Sequence, residues 1–115
     1  MKVIEAQGEY IFVKYDEKYS KASLIEMMRE VQKISTELGC YKLLGDISQM
    51  VGTVSTMDRF EFGVQGAIIF RGGYKIAIIH RPEEINRFAE TVSVNRGLNA
   101  RIFSDKENAL EWLLA

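Results

Sequence analysis

Apolar residues recur along this chain at two intervals, and each switch between them marks an element. "KVIEAQ" (2–7) and "YIFVKY" (10–15) read as two short strands flanking Gly8-Glu9, a turn short enough for a hairpin. The period then lengthens in "SKASLIEMMREVQKISTELG" (20–39). Leu24, Met27, Met28, Val31, Ile34 and Leu38 fall three and four residues apart, so they share one stripe of a helix. Ser20 or Ser23 caps its start, Ser23 having Glu26 three residues on, and Gly39 ends it.

"YKLLGDI" (41–47) is a third strand, and "STMDRFEFGVQGAIIF" (55–70) a second, less regular helix. "YKIAIIH" (74–80) is a strand without polar alternation from Ile76 to Ile79, as expected where both faces of a parallel sheet are covered. Pro82 suits the first turn of a helix "PEEINRFAETVSVNRG" (82–97), whose stripe is Ile85, Phe88, Ala89 and Val92. "ARIF" (100–103) is a last strand, and Ser104-Asp105-Lys106-Glu107 reads as a capping box for "KENALEWLLA" (106–115). The order β-β-α-β-α-β-α-β-α predicts an α/β fold, with a five-stranded, mostly parallel mixed sheet and about four helices in one domain, 1–115.

Composition narrows the function. An apolar fraction of 47% fits a folded domain. Fifteen basic against sixteen acidic residues leave a net charge of −1 with no block of one sign, which argues against a nucleic-acid partner. Arg71, Lys75, Arg81 and Arg87 read as a scatter on the solvated surface. Cys40 is the only cysteine, so no disulfide closes within the chain, as suits a reducing cytoplasm. Glu5, Gln7 and Glu9 interrupt the start, which therefore lacks the apolar core of a signal peptide. The longest apolar run, Ala67–Phe70, is far below the ~20 residues that span a bilayer.

Four stretches, "KLLGDIS" (42–48), "DRFEFG" (58–63), "KIAII" (75–79) and above all "ARIFSDKENALEWL" (100–113), resemble the STAS superfamily. The likeness runs over nearly the whole chain and is strongest to the SpoIIAA-like (STAS/SEC14-like) branch. It implies a small sheet with helices against it and a non-enzymatic role, by apolar ligands or membrane association in the SEC14-like branch. STAS antagonists carry an Asp-Ser-Ser-Gly type motif where the second helix begins, with a serine phosphorylated by a partner kinase. Here the region reads "GTVSTMD" (52–58), so the motif itself is missing while Ser55 and Thr56 offer hydroxyls nearby.

The candidate chemistry is sparse. Cys40 precedes the third strand and His80 follows the fourth, which puts them at opposite sheet edges and excludes a Cys–His pair. Asp46 and His80 share the carboxyl edge, where open α/β sheets bind ligands. They could orient a water or substrate; a satisfied polar pair closing the edge is the plainer reading. One histidine and no carboxylate cluster give no metal site, and no cofactor box is present. The loop of Ser48, Thr53, Ser55 and Thr56 feeds a helix start, where backbone N–H groups favour an anion, yet these residues are also what an N-cap requires.

The second helix is the most informative element. Met57, Phe60, Val64, Ala67 and Ile68 make one stripe expected to face the sheet, leaving Phe62, Ile69 and Phe70 off it. Gly63 and Gly66 weaken it by about 1 kcal/mol each relative to Ala. Phe70-Arg71-Gly72-Gly73-Tyr74 then reads as a hinge. An over-apolar, weakly held helix predicts a binding module. Met57, Phe60, Phe62 and Phe70 would meet a small apolar or amphipathic ligand, a protein partner, a membrane surface or a second copy of the chain. The alternative is a phospho-regulated partner-switching antagonist with Ser55 or Thr56 as acceptor.

Overall fold

The computed structural model describes residues 2–115, apart from the side chains of Phe88 and Ala89. Strands β1 (Lys2–Ala6) and β2 (Ile11–Tyr15) form the expected antiparallel hairpin. Helix α1 (Lys21–Leu38) carries the chain to β3 (Lys42–Asp46), α2 (Thr56–Ile69) to β4 (Lys75–Ile79), and α3 (Phe88–Asn95) to β5 (Asn99–Phe103), before α4 (Lys106–Leu113) closes the fold. The five strands lie in the order β1-β2-β3-β4-β5, parallel from β2 onward. Each parallel pair needs a crossover, and the intervening helices supply it.

Successive strand residues point to opposite faces, so Leu43 and Leu44 serve two different cores. On one face Ile11, Val13, Tyr15, Leu43 and Ile76 meet Leu24, Met27 and Val31 of α1 and Ala67 of α2. On the other, Leu44, Ala77 and Ile79 meet Ala109 and Leu113 of α4. The unbroken apolar run of β4 is explained by this double coverage.

Ser20 is the cap of α1: its Oγ accepts from the backbone N–H of Ser23, which excludes Ser23 as the capping residue. Gly39 ends α1 with φ 67°, a left-handed turn that favours glycine. Of the expected α1 stripe, Leu38 lies outside the core at 55% exposed. α4 is capped one residue later than expected, by Asp105 rather than Ser104, whose carboxylate accepts from the N–H of Asn108 at 2.8 Å.

The segment after β4 departs most from expectation. Pro82 starts only a 3-10 turn (Pro82–Glu84), the chain extends at Ile85, and α3 begins at Phe88 after a left-handed Arg87 with φ 59°. In a continuous helix the Glu84 carbonyl would accept from residue 88; here Arg59 Nη1 donates to it at 2.8 Å. The side chains of Phe88 and Ala89, two members of the expected stripe, lie outside the described residues. The predicted hinge after α2 is a tight turn with buried ends. Phe70 and Tyr74 meet edge-on at 5.1 Å, and the Tyr74 hydroxyl bonds the buried Ser35 hydroxyl.

Candidate functional site

Helix α2 is rotated by roughly 100° from the expected orientation. Met57 is 78% exposed, Phe60 42% and Ile68 51%, whereas Gly63, Gly66, Ala67 and Phe70 are buried. At about 100° per residue the centres of those two sets lie roughly 120° apart, and Ala67, a member of the expected stripe, is buried as expected. Phe62, off the expected stripe, packs against the core and meets Tyr19 edge-on at 6.2 Å. Phe60 instead lies on the outside with the Arg96 guanidinium 5.5 Å from its ring centre.

With small residues facing inward, α2 does not fill the space above the sheet. A cavity of about 230 Å³ lies between α1, α2, α3 and the sheet. Its wall is mostly aliphatic and aromatic, with Leu24 and Met28 from α1, Phe62 from α2, Phe70 just after it, and Ile76 and Ile78 from β4. The polar exceptions are Asp46, Arg59, His80, Glu90 and Ser93. Gly66 leaves room because a Cβ there would stand 3.6 Å from the Met28 and Leu98 side chains, contacts that glycine forgoes.

The loop from β3 to α2 is knitted into the carboxyl edge. Val51 bridges Lys18 in parallel, with Val51 N–H donating to Glu17 and Tyr19 N–H to Val51. Arg81 donates to the carbonyls of Ser48, Met50 and Gly52, so it belongs to this edge and not to a solvated scatter. Met50 and Val54 are buried plugs within a stretch whose composition reads as polar. Arg59 ties α2 to the 3-10 turn, its Nη2 3.4 Å from Glu84 Oε1 with both side chains mostly buried.

Asp46 and His80 do line the same cavity but do not pair. Asp46 Oδ1 accepts from the backbone N–H and the hydroxyl of Ser48, at 2.9 and 2.6 Å. His80 is 4% exposed; the backbone N–H of Arg81 donates to its Nδ1 at 2.9 Å. Its Nε2 is buried with no hydrogen-bond partner among the described residues. The expected closed Asp–His pair is therefore absent, because Asp46 is engaged two residues along its own chain. Burial, reinforced by the Arg81 charge, holds the His80 imidazole below its ordinary value, so the ring is neutral.

The start of α2 is occupied from within. Ser55 Oγ accepts from Asp58 N–H at 3.2 Å, an ordinary N-cap. Asp58 places a carboxylate in the first turn, where Tyr19 donates to it at 2.5 Å and Lys21 stands 3.9 Å away. Burial and that Asp58 bond push the Tyr19 hydroxyl up. A helix end already facing its own carboxylate is a poor station for a second anion. Thr53, Ser55 and Thr56 are exposed on the rim, and Thr53 Oγ1 lies 3.5 Å from Glu84 Oε2.

Of the residues singled out in sequence, Phe62, Phe70, Asp46 and His80 are brought together around the cavity. Ser48 supports Asp46, while Met57, Phe60, Thr53, Ser55 and Thr56 stay outside it. Arg59 and Glu90 line it unannounced, since their partners are distant in sequence: Glu84 for Arg59, and the N–H of Ile102 for Glu90 at 2.6 Å. Cys40 is half-buried at the opposite, amino edge. Among the described residues no group of three or more His, Cys, Asp or Glu is placed to hold a metal, and no helix is long and apolar enough to cross a membrane.

A hairpin running into parallel strands, with α1 and α2 on one face and α4 on the other, has solved counterparts. A protein of the DUF3478 family from Shewanella loihica PV-4, itself uncharacterised and described as having a SpoIIAA-like fold, matches with TM-score 0.57 at 24% identity, over 98% of this chain and 92% of its own. The chain has the SpoIIAA-like fold. An anti-sigma factor antagonist from Mycobacterium paratuberculosis matches with TM-score 0.65 at 13% identity, over 100% of this chain and 94% of its own. No protein-family model and no curated protein matches. At these identities the SpoIIAA-like likeness speaks for architecture alone, and the expected five-stranded, mostly parallel mixed sheet is what the chain forms.

Proposed function

We propose that residues 1–115 form a single, non-catalytic binding module that holds a small apolar or amphipathic molecule beneath α2. The observation carrying this reading is the cavity of about 230 Å³ between the sheet and α1, α2 and α3, lined mostly by apolar side chains. It is larger than the ~150 Å³ apolar cavity that suffices for benzene. Apolar walls reward transfer of a hydrocarbon body from water at roughly 25 cal/mol per Å². Titrating the full chain with ethylbenzene and following backbone amide signals tests it. Saturable shifts concentrated around Leu24, Phe62 and Ile76, abolished when Gly66→Leu fills the space, are expected. A titration that leaves those signals unmoved would sink the reading.

A second reading has its own support. Exposed Met57 and Phe60 lie directly after the exposed hydroxyls of Ser55 and Thr56, on the outward face of α2. This combination would suit a protein partner whose docking is controlled by phosphorylation, and one solved neighbour is an anti-sigma factor antagonist. A phosphate there would add up to about two negative charges close to Asp58 and Glu61, the latter 2.7 Å from Lys21. Intact mass of the protein purified from its host is the check. A phosphate adduct lost in Ser55→Ala or Thr56→Ala supports partner switching, and a wholly unmodified population counts against it.

A further inference from the structure

His80 is the sole histidine of the chain and is among the residues lining the cavity. Its tautomer follows from its neighbours. The N–H of Arg81 donates to Nδ1, so Nδ1 must offer a lone pair, and a neutral imidazole then carries its proton on Nε2. That Nε2–H is buried and meets no acceptor among the described residues. A buried donor without an acceptor is costly, and a ligand oxygen at this point would relieve it.

The other polar groups of the wall say what kind of oxygen it is. Glu90 Oε2 accepts from the N–H of Ile102 and from Arg87, and Asp46 Oδ1 from Ser48. Both carboxylates are held in place by these donors and would repel an anionic ligand. Arg59, the cation of the wall, is engaged by Glu84 and by the carbonyl of Val54. We infer that the cavity selects uncharged apolar molecules bearing one hydrogen-bond acceptor, such as a ketone, ester, ether or hydroxyl oxygen, bound by the Nε2–H of His80. This rests on the cavity being a binding site, and it adds which chemistry that site prefers.

Three probes of one shape separate the possibilities: ethylbenzene, acetophenone and benzoate, titrated into full chain carrying ¹⁵N-labelled histidine. The lone imidazole gives unambiguous signals. In the free protein the proton is expected on Nε2. Acetophenone is expected to bind about tenfold tighter than ethylbenzene and to move the Nε2 signal, with benzoate at least tenfold weaker than acetophenone. Water holds the ketone better than the hydrocarbon, so a preference for the ketone inside an apolar cavity reports a specific contact. His80→Leu should erase the preference while ethylbenzene still binds, and His80→Gln, which keeps an amide donor, should restore part of it.

Equal affinities for ethylbenzene and acetophenone, tightest binding by benzoate, or a proton found on Nδ1 would overturn the inference and leave the cavity reading standing. Failure of all three probes to bind would overturn both. The tautomer and the wild-type comparison need no substitution, so they decide the matter even if a His80 variant does not fold.

Discussion

On the α4 side of the sheet, Leu44, Ala77, Ala109 and Leu113 are wholly buried and close-packed. On the α1–α2 side, the same strands offer Leu43 and Ile76 to a layer that leaves about 230 Å³ unfilled. The difference lies in the covering helices. α4 presents Ala109 and Leu113 with Trp112 packed at the margin, whereas α2 presents glycines and turns Met57, Phe60 and Ile68 away. One face is built for stability. The other gives up dispersion contacts, since side chains around a void have nothing to touch on one side. The void, beside a His80 Nε2 that meets no partner among the described residues, is the feature on which the binding proposal rests.

The largest expected effect breaks the sealed face. Leu113→Ala should destabilise the protein by about 4 kcal/mol, within the usual 2–5 for a fully buried leucine, with ethylbenzene affinity unchanged in the folded fraction. Leu24→Ala, at the cavity wall, should cost nearer 2 kcal/mol because that side chain already lacks neighbours on one side. Urea unfolding of the two variants measures the gap. Equal costs would mean that the two faces are packed alike.

Next in size is Gly66→Ala. The new methyl meets Met28 and Leu98 at 3.6 Å, ordinary contact distances, and removes the penalty of glycine within a helix. The protein should gain about 1 kcal/mol in urea unfolding and bind ethylbenzene more weakly. Stability and binding would thus move in opposite directions, a trade expected only where glycine serves the cavity. Destabilisation by this change would show α2 to be packed as tightly as α4.

Legibility followed the regular elements, not the two faces. In α1, Leu24, Met27 and Val31 announce their burial by spacing, and in β4 the run from Ile76 to Ile79 announces coverage on two sides. Helix α2 hides from the same reading. Large side chains dominate a hydrophobic stripe, so Met57, Phe60 and Ile68 point to the wrong side of α2, while Gly63 and Gly66, which do face inward, carry no apolar signal. Met50 and Val54 are buried because the loop folds back beneath Arg81, a contact across 31 residues for Met50 that no local pattern encodes. His80 and Asp46 were placed correctly at the carboxyl edge. Their failure to pair depends on Ser48 turning back on Asp46, a local geometry invisible in composition.

Acid should act on the hollow face through His80. Its imidazole is held below the ordinary 6.5, by burial first and then by Arg81, so below that pH the unfolded chain takes up a proton that the folded chain refuses. The contribution is intact above pH 6.5 and is lost as pH falls through the lower folded value. His80→Gln, which cannot titrate there, should flatten this part of the stability profile, as read by urea midpoints between pH 7 and pH 5 at constant salt. A profile unchanged by the substitution would show that the ring charges freely and is not sealed in the wall.

The smallest effect expected is on the outward side of α2, where the comparison becomes one between two faces of a single helix. Met57 is 78% exposed, so Met57→Ser should change stability by less than about 0.5 kcal/mol and leave ethylbenzene binding alone. Phe60→Ser should cost somewhat more, up to about 1 kcal/mol, through loss of the Arg96 guanidinium over its ring. Phe62→Ser, two residues on but inside, should exceed both and disturb the probe's amide shifts. If thermal and urea unfolding instead ranked Met57 with Phe62, the outward face would be carrying part of the core. A near-silent Met57 leaves that apolar surface without a stabilising task in the isolated chain, which is the condition a docking surface for the partner-switching reading requires.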